Sequence, residues 1–393
     1  MVEVVLEHIN KVFPPHTEAL KDLNLALKSG ERLSIVGPSG SGKTTILRII
    51  AGLEAPTHGT VRIGGRIVNN VPPSERGIGM VFQQNNLYPH MTIRQNLGFA
   101  LSLQVPWTTR LASRLRRILA ISDPPETLRL NEQIQGRVAE AARVLDLVPL
   151  LGRNPHTLSG GQQQRAALAK AVVRQSHLLL LDEPLAHLEP ALRREAMGFL
   201  YLLHERLKMT VIYVTHDQQE AMAIGHRMAV LNQGTIQQVG TPQNIYMQPQ
   251  NRFVAGFIGW PPMNFIEGRL FTRYDGCFFE CPAWSPWRLS GKMRADKVHQ
   301  GKLVTMGIRP DRVKIGCQYH DGVTLNLVVR QVETLGSAYL ITLQKDDLRL
   351  VAQSVDQPEG MLGKGVKVGF DMRDAYFFSL ENGMRIDRNS PDG

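Results

Sequence analysis

Gly37-Pro38-Ser39-Gly40-Ser41-Gly42-Lys43-Thr44 follows the apolar run Leu33 to Val36 and precedes a helix-like run from Thr45 to Leu53. Strand, glycine-rich turn and helix therefore stand in the order of a phosphate-binding loop, and this order sets the class of the first domain as α/β. Glycines let successive backbone N–H groups converge on phosphate oxygens, and the helix N-terminus adds partial positive charge. Gly37, Ser39, Gly40, Ser41, Gly42, Lys43, Thr44 and Thr45 are accordingly the candidate phosphate cradle. Lys43 is expected to reach the β- and γ-phosphates of a nucleotide, and Thr44 a bound Mg²⁺.

A second segment, His177-Leu-Leu-Leu-Leu-Asp182-Glu183-Pro184, is a short apolar run ending in two carboxylates. Such a run fits a strand buried on both faces of a parallel sheet, with Asp182 and Glu183 at its carboxyl end, where open α/β sheets bind ligands. Asp182 is then a candidate Mg²⁺ ligand, and Glu183 a candidate base for an attacking water. A further strand, Thr210 to Thr215, delivers His216 to the same edge. Between them lies Leu158-Ser159-Gly160-Gly161-Gln-Gln-Gln-Arg165, in which a serine and two glycines open a helix-like run from Gln162 to Arg174. This is a second anion-binding helix start, and one phosphate group rarely needs two from one chain.

With these segments in place, the sequence resembles the ATPase subunits of ATP-binding-cassette transporters, and within them the sugar-importer subfamily typified by the maltose importer. The resemblance covers nearly the whole chain. It implies a homodimer in which Ser159, Gly160 and Gly161 complete the nucleotide site of the partner subunit. It implies further that Phe13 stacks on adenine, that Gln83 senses Mg²⁺ and the attacking water and links to the transporter, and that His216 contacts the γ-phosphate. ATP and Mg²⁺ are the implied cofactors. Membrane permease subunits are the implied direct partners, with a solute-binding protein as an indirect one. One departure stands out. After Glu183 the loop reads Leu185-Ala186-His187-Leu188-Glu189, where the family usually has Ser-x-Leu-Asp, which places coupling between the two sites in question.

The 393 residues exceed one ordinary domain, and 43% hydrophobic with 20% charged residues is a globular composition. Residues 1–237 hold every nucleotide motif, with a helical subdomain over about 88–157; from 238 to 393 short alternating strands predict a small, OB-like β-barrel, where Phe253 to Phe265 and Gly307-Ile-Arg-Pro-Asp311 resemble the importer regulatory domain. No run of 18 apolar residues is present, no leading signal segment is expected, and Cys277, Cys281 and Cys317 are too few for a disulfide framework. The expected place is the cytoplasmic face of the plasma (inner) membrane.

A net charge of +10 fits phosphate, nucleic acid or anionic headgroups. No aromatic-and-basic strand pattern points to nucleic acid, so the excess is read as membrane proximity. A segment of about 104–137 is longer than its counterpart in maltose-type subunits. It sets Leu111, Leu115, Ile118 and Leu119 at helical spacing among Arg110, Arg114, Arg116 and Arg117, before Asp123-Pro-Pro breaks the run. Two other classes make different demands on the sequence. A cassette protein of translation or repair would carry a second cassette or coiled coil, and a non-catalytic sensor would not need Glu183 and His216.

Overall fold

The computed structural model describes residues 2–83, 87–102, 124–173, 176–186, 188–274, 276–281, 284–289, 301–316 and 322–386. Most of the arginine-bearing segment, residues 103–123, His187 and Cys317 lie outside the described residues. Contacts divide the chain into two units, Met1–Pro242 and Gln243–Gly393.

In the first unit two sheets sandwich a helix. One is a four-stranded sheet, in the order β2-β1-β4-β5, of β1 (Val4–Phe13), β2 (Thr17–Leu27), β4 (His58–Ile63) and β5 (Arg66–Ile67). The other comprises β3 (Arg32–Val36), β6 (Ile78–Val81), β7 (Leu178–Asp182), β8 (Thr210–Thr215), β9 (Arg227–Asn232) and β10 (Thr235–Gly240), ordered β10-β9-β3-β8-β7-β6. Its strands run parallel from β9 to β6, and β10 is hairpinned antiparallel to β9. Because Thr235–Gly240 is tied to β9 in this way, the first unit runs on through Pro242.

All five residues of β7 are buried, and the run is leucine-rich because both its faces are covered. Leu178 and Leu180 join Leu33, Ile35, Ile46 and Ile50 in the core around α1 (Lys43–Ala51). Leu179 and Leu181 point the other way, into a core with the helical part of the unit. That part includes α2 (Ile93–Ser102), α3 (Pro125–Val144) and α4 (Gly160–Val172). The break after residue 123 is the start of α3, with Pro124 as cap and Pro125 in the first helical position, where its missing N–H costs nothing. Two more helices, α5 (Pro190–Leu207) and α6 (Gln218–Ile224), follow β7 and β8.

The second unit is mainly antiparallel. Asn264–Arg273, Gly276–Glu280, Trp287–Arg288, Lys302–Ile308 and Tyr376–Ser379 form one five-stranded sheet; Lys314–Ile315, Val323–Thr334, Tyr339–Lys345, Leu348–Ser354 and Gly365–Phe370 form another. Alternation along Val323–Thr334 buries Val323, Leu325, Leu327 and Val329 and leaves Thr324 and Asn326 outside. These side chains share one core with Phe279, Val304, Met306 and Phe370 from both sheets, as a small antiparallel barrel domain requires.

Candidate functional site

The phosphate loop is a place where glycine is required by what surrounds it. A Cβ on Gly37 would lie 2.2 Å from the Leu231 carbonyl oxygen, so the loop can leave β3 alongside β9 only without a side chain there. Gly42, with φ of +105°, caps α1, and a Cβ on it would lie 2.6 Å from the Ala19 carbonyl oxygen. Gly40 also needs its left-handed φ of +77°, but its missing side chain would point into open space.

Lys43 Nζ donates to the carbonyls of Gly37 and Pro38, each at 2.9 Å, so the ammonium is folded onto the loop's entrance. Burial pushes its pKa down, while the nearby Glu183 and Asp182 carboxylates push it back up. The Thr44 hydroxyl donates to Asp182 Oδ1 at 3.1 Å, bringing together an oxygen from each of the two predicted metal-binding segments. Burial raises the Asp182 pKa above the ordinary carboxylate value; the Thr44 hydrogen bond opposes this, Glu183 adds to it, and Arg48 and Lys43 oppose it. An alcohol and a carboxylate side by side are hard oxygen donors. They suit Mg²⁺, which takes one or two carboxylates together with phosphates, and no cluster of three His, Cys, Asp or Glu occurs among the described residues.

Glu183 adopts φ of +45°, a left-handed conformation uncommon for a non-glycine residue. Its backbone N–H donates to the Val214 carbonyl at 2.9 Å, which holds the turn against β8. Its side chain meets His216, whose Nδ1 lies 3.0 Å from Glu183 Oε2. With its proton on Nδ1, the imidazole donates to the carboxylate and leaves Nε2 as the other polar edge. Strands β7 and β8 are neighbours in the sheet, so residues 33 positions apart in sequence meet at one edge.

The turn carrying His216 is fastened on both sides. Asp217 caps α6, accepting from the N–H groups of Gln219 and Glu220, and its own N–H donates to Thr215 Oγ1 at 3.0 Å. Buried Glu220 accepts from Tyr213 Oη at 2.7 Å and Thr215 Oγ1 at 2.8 Å. Arg193, from α5, places Nη1 3.2 Å from Asp217 Oδ2 and Nε 3.5 Å from Glu220 Oε1, and Nη2 donates to the Leu188 carbonyl at 3.3 Å. One guanidinium therefore links the loop after Glu183 to the histidine turn. Sequence reasoning did not identify this link. The Asp217-x-x-Glu220 spacing is legible as a helix start, but nothing in the chain near Arg193 announces a partner 24 residues away.

Among the described residues no hydrogen bond joins the remaining predicted residues to this constellation. Gln83 is exposed, two residues beyond β6, on the same sheet as β7. Phe13 ends β1 half-buried, with Lys11 Nζ 4.7 Å from its ring centroid. Ser159 caps α4, where its hydroxyl accepts from the Gln162 N–H and the Gln162 side chain accepts from the Ser159 N–H. The nearest neighbours a Cβ would meet on Gly160 and Gly161 are Leu188 at 3.5 Å and Leu192 at 3.6 Å, which is ordinary contact. Ser159 and Gly160 are exposed. The packing within this subunit therefore gives no reason for the pair of glycines.

Comparison with known proteins converges on this architecture. The ABC transporter family profile matches residues 20–186 and the TOBE domain profile residues 306–378. The oligosaccharides import ATP-binding protein MsmX of Bacillus subtilis is 38% identical over 98% of this chain and 100% of its own length. The trehalose import ATP-binding protein SugC of Mycobacterium tuberculosis is 37% identical over 98% of both chains. Among solved structures, a bacterial ABC transporter cassette determined as a dimer is 31% identical and superposes with a TM-score of 0.50, covering 61% of this chain and 98% of that one. A component of the cbiONQ ABC transporter complex of Clostridium perfringens gives 0.52 at 26% identity, covering 62% of this chain and 90% of that one.

Proposed function

The chain belongs to the ATP-binding proteins of ABC transporters, and from that premise we propose that it hydrolyses ATP to power import of a sugar or sugar-derived solute through membrane permease subunits. The observation that carries the reading is the convergence of Lys43, Thr44, Asp182, Glu183 and His216 at one sheet edge. A sensor that only bound nucleotide would need the loop and no paired carboxylate and imidazole beyond it.

In this reading Phe13 stacks on adenine and the loop from Gly37 to Thr45 wraps the phosphates. Thr44, Asp182 and Gln83 would hold Mg²⁺, which would supply positive charge against the phosphates. Glu183 accepts a proton from the attacking water. His216 holds the Glu183 carboxylate in place through Nδ1, and Lys43 and His216 stabilise the charge that develops on the transferred phosphoryl. Ser159, Gly160 and Gly161 act on the partner subunit's nucleotide: in the subunit itself Ser159 and Gly160 are exposed, and the glycines are crowded by nothing that would exclude a side chain. ATP thereby closes a homodimer, and hydrolysis reopens it.

A solute-binding protein is the indirect partner, the seat is the cytoplasmic face of the membrane, and the net positive charge favours anionic headgroups over nucleic acid. No helix among the described residues is long and apolar enough to cross a membrane, so the spans come from the permease. The test is reconstitution of the chain with its permease in vesicles. ATP-dependent uptake of labelled disaccharide that disappears with Lys43→Ala supports the reading, and uptake indifferent to that variant overturns it.

A further inference from the structure

Within the second unit a cavity of about 280 Å³ is lined by Arg309, Arg312, Arg373 and Arg385 together with Asp311 and Asp374. Its frame is made of two short 3-10 turns, Pro310–Arg312 and Met372–Asp374, and the end of the helix that closes with Tyr246 and Met247. Nothing in the hydrolytic reading uses these residues.

Carboxylates already engage two of these guanidiniums. Arg312 takes both lining carboxylates, with Nε 3.6 Å from Asp311 and Nη1 3.8 Å from Asp374. Arg373 donates through Nε to Asp371 at 2.8 Å. The deepest cation is Arg309, only 3% exposed, whose Nη1 and Nη2 donate to the carbonyls of Ile258 and Tyr246 at 2.6 and 2.7 Å. Neutral carbonyls satisfy its hydrogen bonds without neutralising it, and its Nε is buried with no hydrogen-bond partner among the described residues. Its guanidinium lies over the Tyr246 ring at 3.8 Å, and Arg385 lies over the Tyr376 ring at 4.7 Å. Both cations are thus held flat against aromatic faces, and the Tyr376 hydroxyl, which donates to the Met247 carbonyl at 3.1 Å, fixes one of those rings.

A buried cation whose hydrogen bonds go to neutral carbonyls is costly, and a counter-anion in the adjoining space relieves that cost. Guanidinium groups present planar pairs of donors matched to phosphate oxygens. The cavity is at the small end of the range for metabolite sites and has no room for a folded partner. We propose that it binds a phosphate group, either free or carried on a small metabolite, on the guanidiniums of Arg312 and Arg385 in the field of Arg309.

The full-length protein is first saturated with Mg²⁺ and a non-hydrolysable ATP analogue, so that the phosphate loop is filled. Inorganic phosphate and glycerol 3-phosphate are then titrated separately by calorimetry. Binding of either, weakened by about tenfold or more in Arg312→Gln/Arg385→Gln, supports the site; analogue affinity should be unchanged in that variant, since neither residue belongs to the nucleotide site. The ligand that binds more tightly identifies the source as free phosphate or phosphorylated metabolite. The single variant Arg312→Gln, at a half-exposed position, provides the same comparison if the double variant does not fold. No binding of either probe, or equal binding by wild type and a folded variant, overturns the proposal.

Discussion

The phosphate loop and the Leu158–Arg165 stretch are both glycine-rich helix starts, and they are built in opposite ways. In the first, glycine is forced by the chain itself: Leu231 presses on Gly37, and Ala19 on Gly42. Its lysine is buried, and the carboxylates of Asp182 and Glu183, from a strand two places along the sheet, act on its charge. In the second, the serine caps its own helix, the glycines have space for a side chain, and no hydrogen bond among the described residues joins this start to the first. Packing explains one set of glycines and leaves the other without an internal cause. A helix start that is open, uncharged and unneeded by its own subunit is what a site completed by a second copy would leave exposed.

Four experiments bear on that contrast. The largest effect is expected for Glu183→Gln: turnover should fall by roughly 10²–10⁴-fold with nucleotide affinity kept. Size-exclusion chromatography with MgATP should show more dimer than for wild type. Unchanged phosphate release would remove Glu183 as the base.

Next comes the division between the two helix starts. Ser159→Arg and Lys43→Ala subunits should each be nearly inactive alone, whereas a mixture should recover turnover, because the heterodimer keeps one intact pairing of Lys43 with Ser159. Full activity of Ser159→Arg by itself would show that the exposed start plays no part. Recovery would also locate the effect of Ala186 and Glu189, since independent sites are what a weakened interface loop permits.

A smaller effect is expected at Arg193, which holds the histidine turn without touching nucleotide. Arg193→Ala should lower kcat roughly tenfold, because His216 would lose its alignment with Glu183. KM for ATP should hardly change. Arg193→Lys should restore little, since one ammonium cannot serve Asp217, Glu220 and the Leu188 carbonyl together. A matching rise in KM would instead place Arg193 in nucleotide binding.

The smallest effect is on stability. Burial holds the Asp182 carboxyl above its ordinary value near 3.8, so protonation favours the folded state. The penalty is fully present above the folded pKa and is relieved as pH falls through it towards 3.8. Asp182→Asn should therefore raise the Tm of nucleotide-free protein slightly at neutral pH and flatten its acid-side slope, while abolishing turnover. A lowered Tm on thermal melts at pH 7 would mean that the Thr44–Asp182 hydrogen bond outweighs the burial cost.

Much of this site is legible along the chain because its parts are local. A strand, a glycine loop and a lysine are adjacent from Leu33 to Thr45, and the apolar run before Asp182 shows a strand covered on both faces. Other parts are illegible for an equally physical reason. The contacts of Arg193 depend on α5 and α6 lying side by side, and the arginine-lined cavity of the second unit depends on two turns some 60 residues apart meeting.

The sequence by itself determined the phosphate loop, the alternation of strands and helices, and the change to short alternating strands in the C-terminal part. These follow from nearest-neighbour geometry and the periodicity of buried side chains. Only the tertiary structure decided that Thr44 meets Asp182, that His216 meets Glu183, and that a single guanidinium joins the histidine turn to the loop behind it. Strand order in a sheet sets which distant residues share an edge, and that order is fixed by the packing of whole layers rather than by any local run of residues.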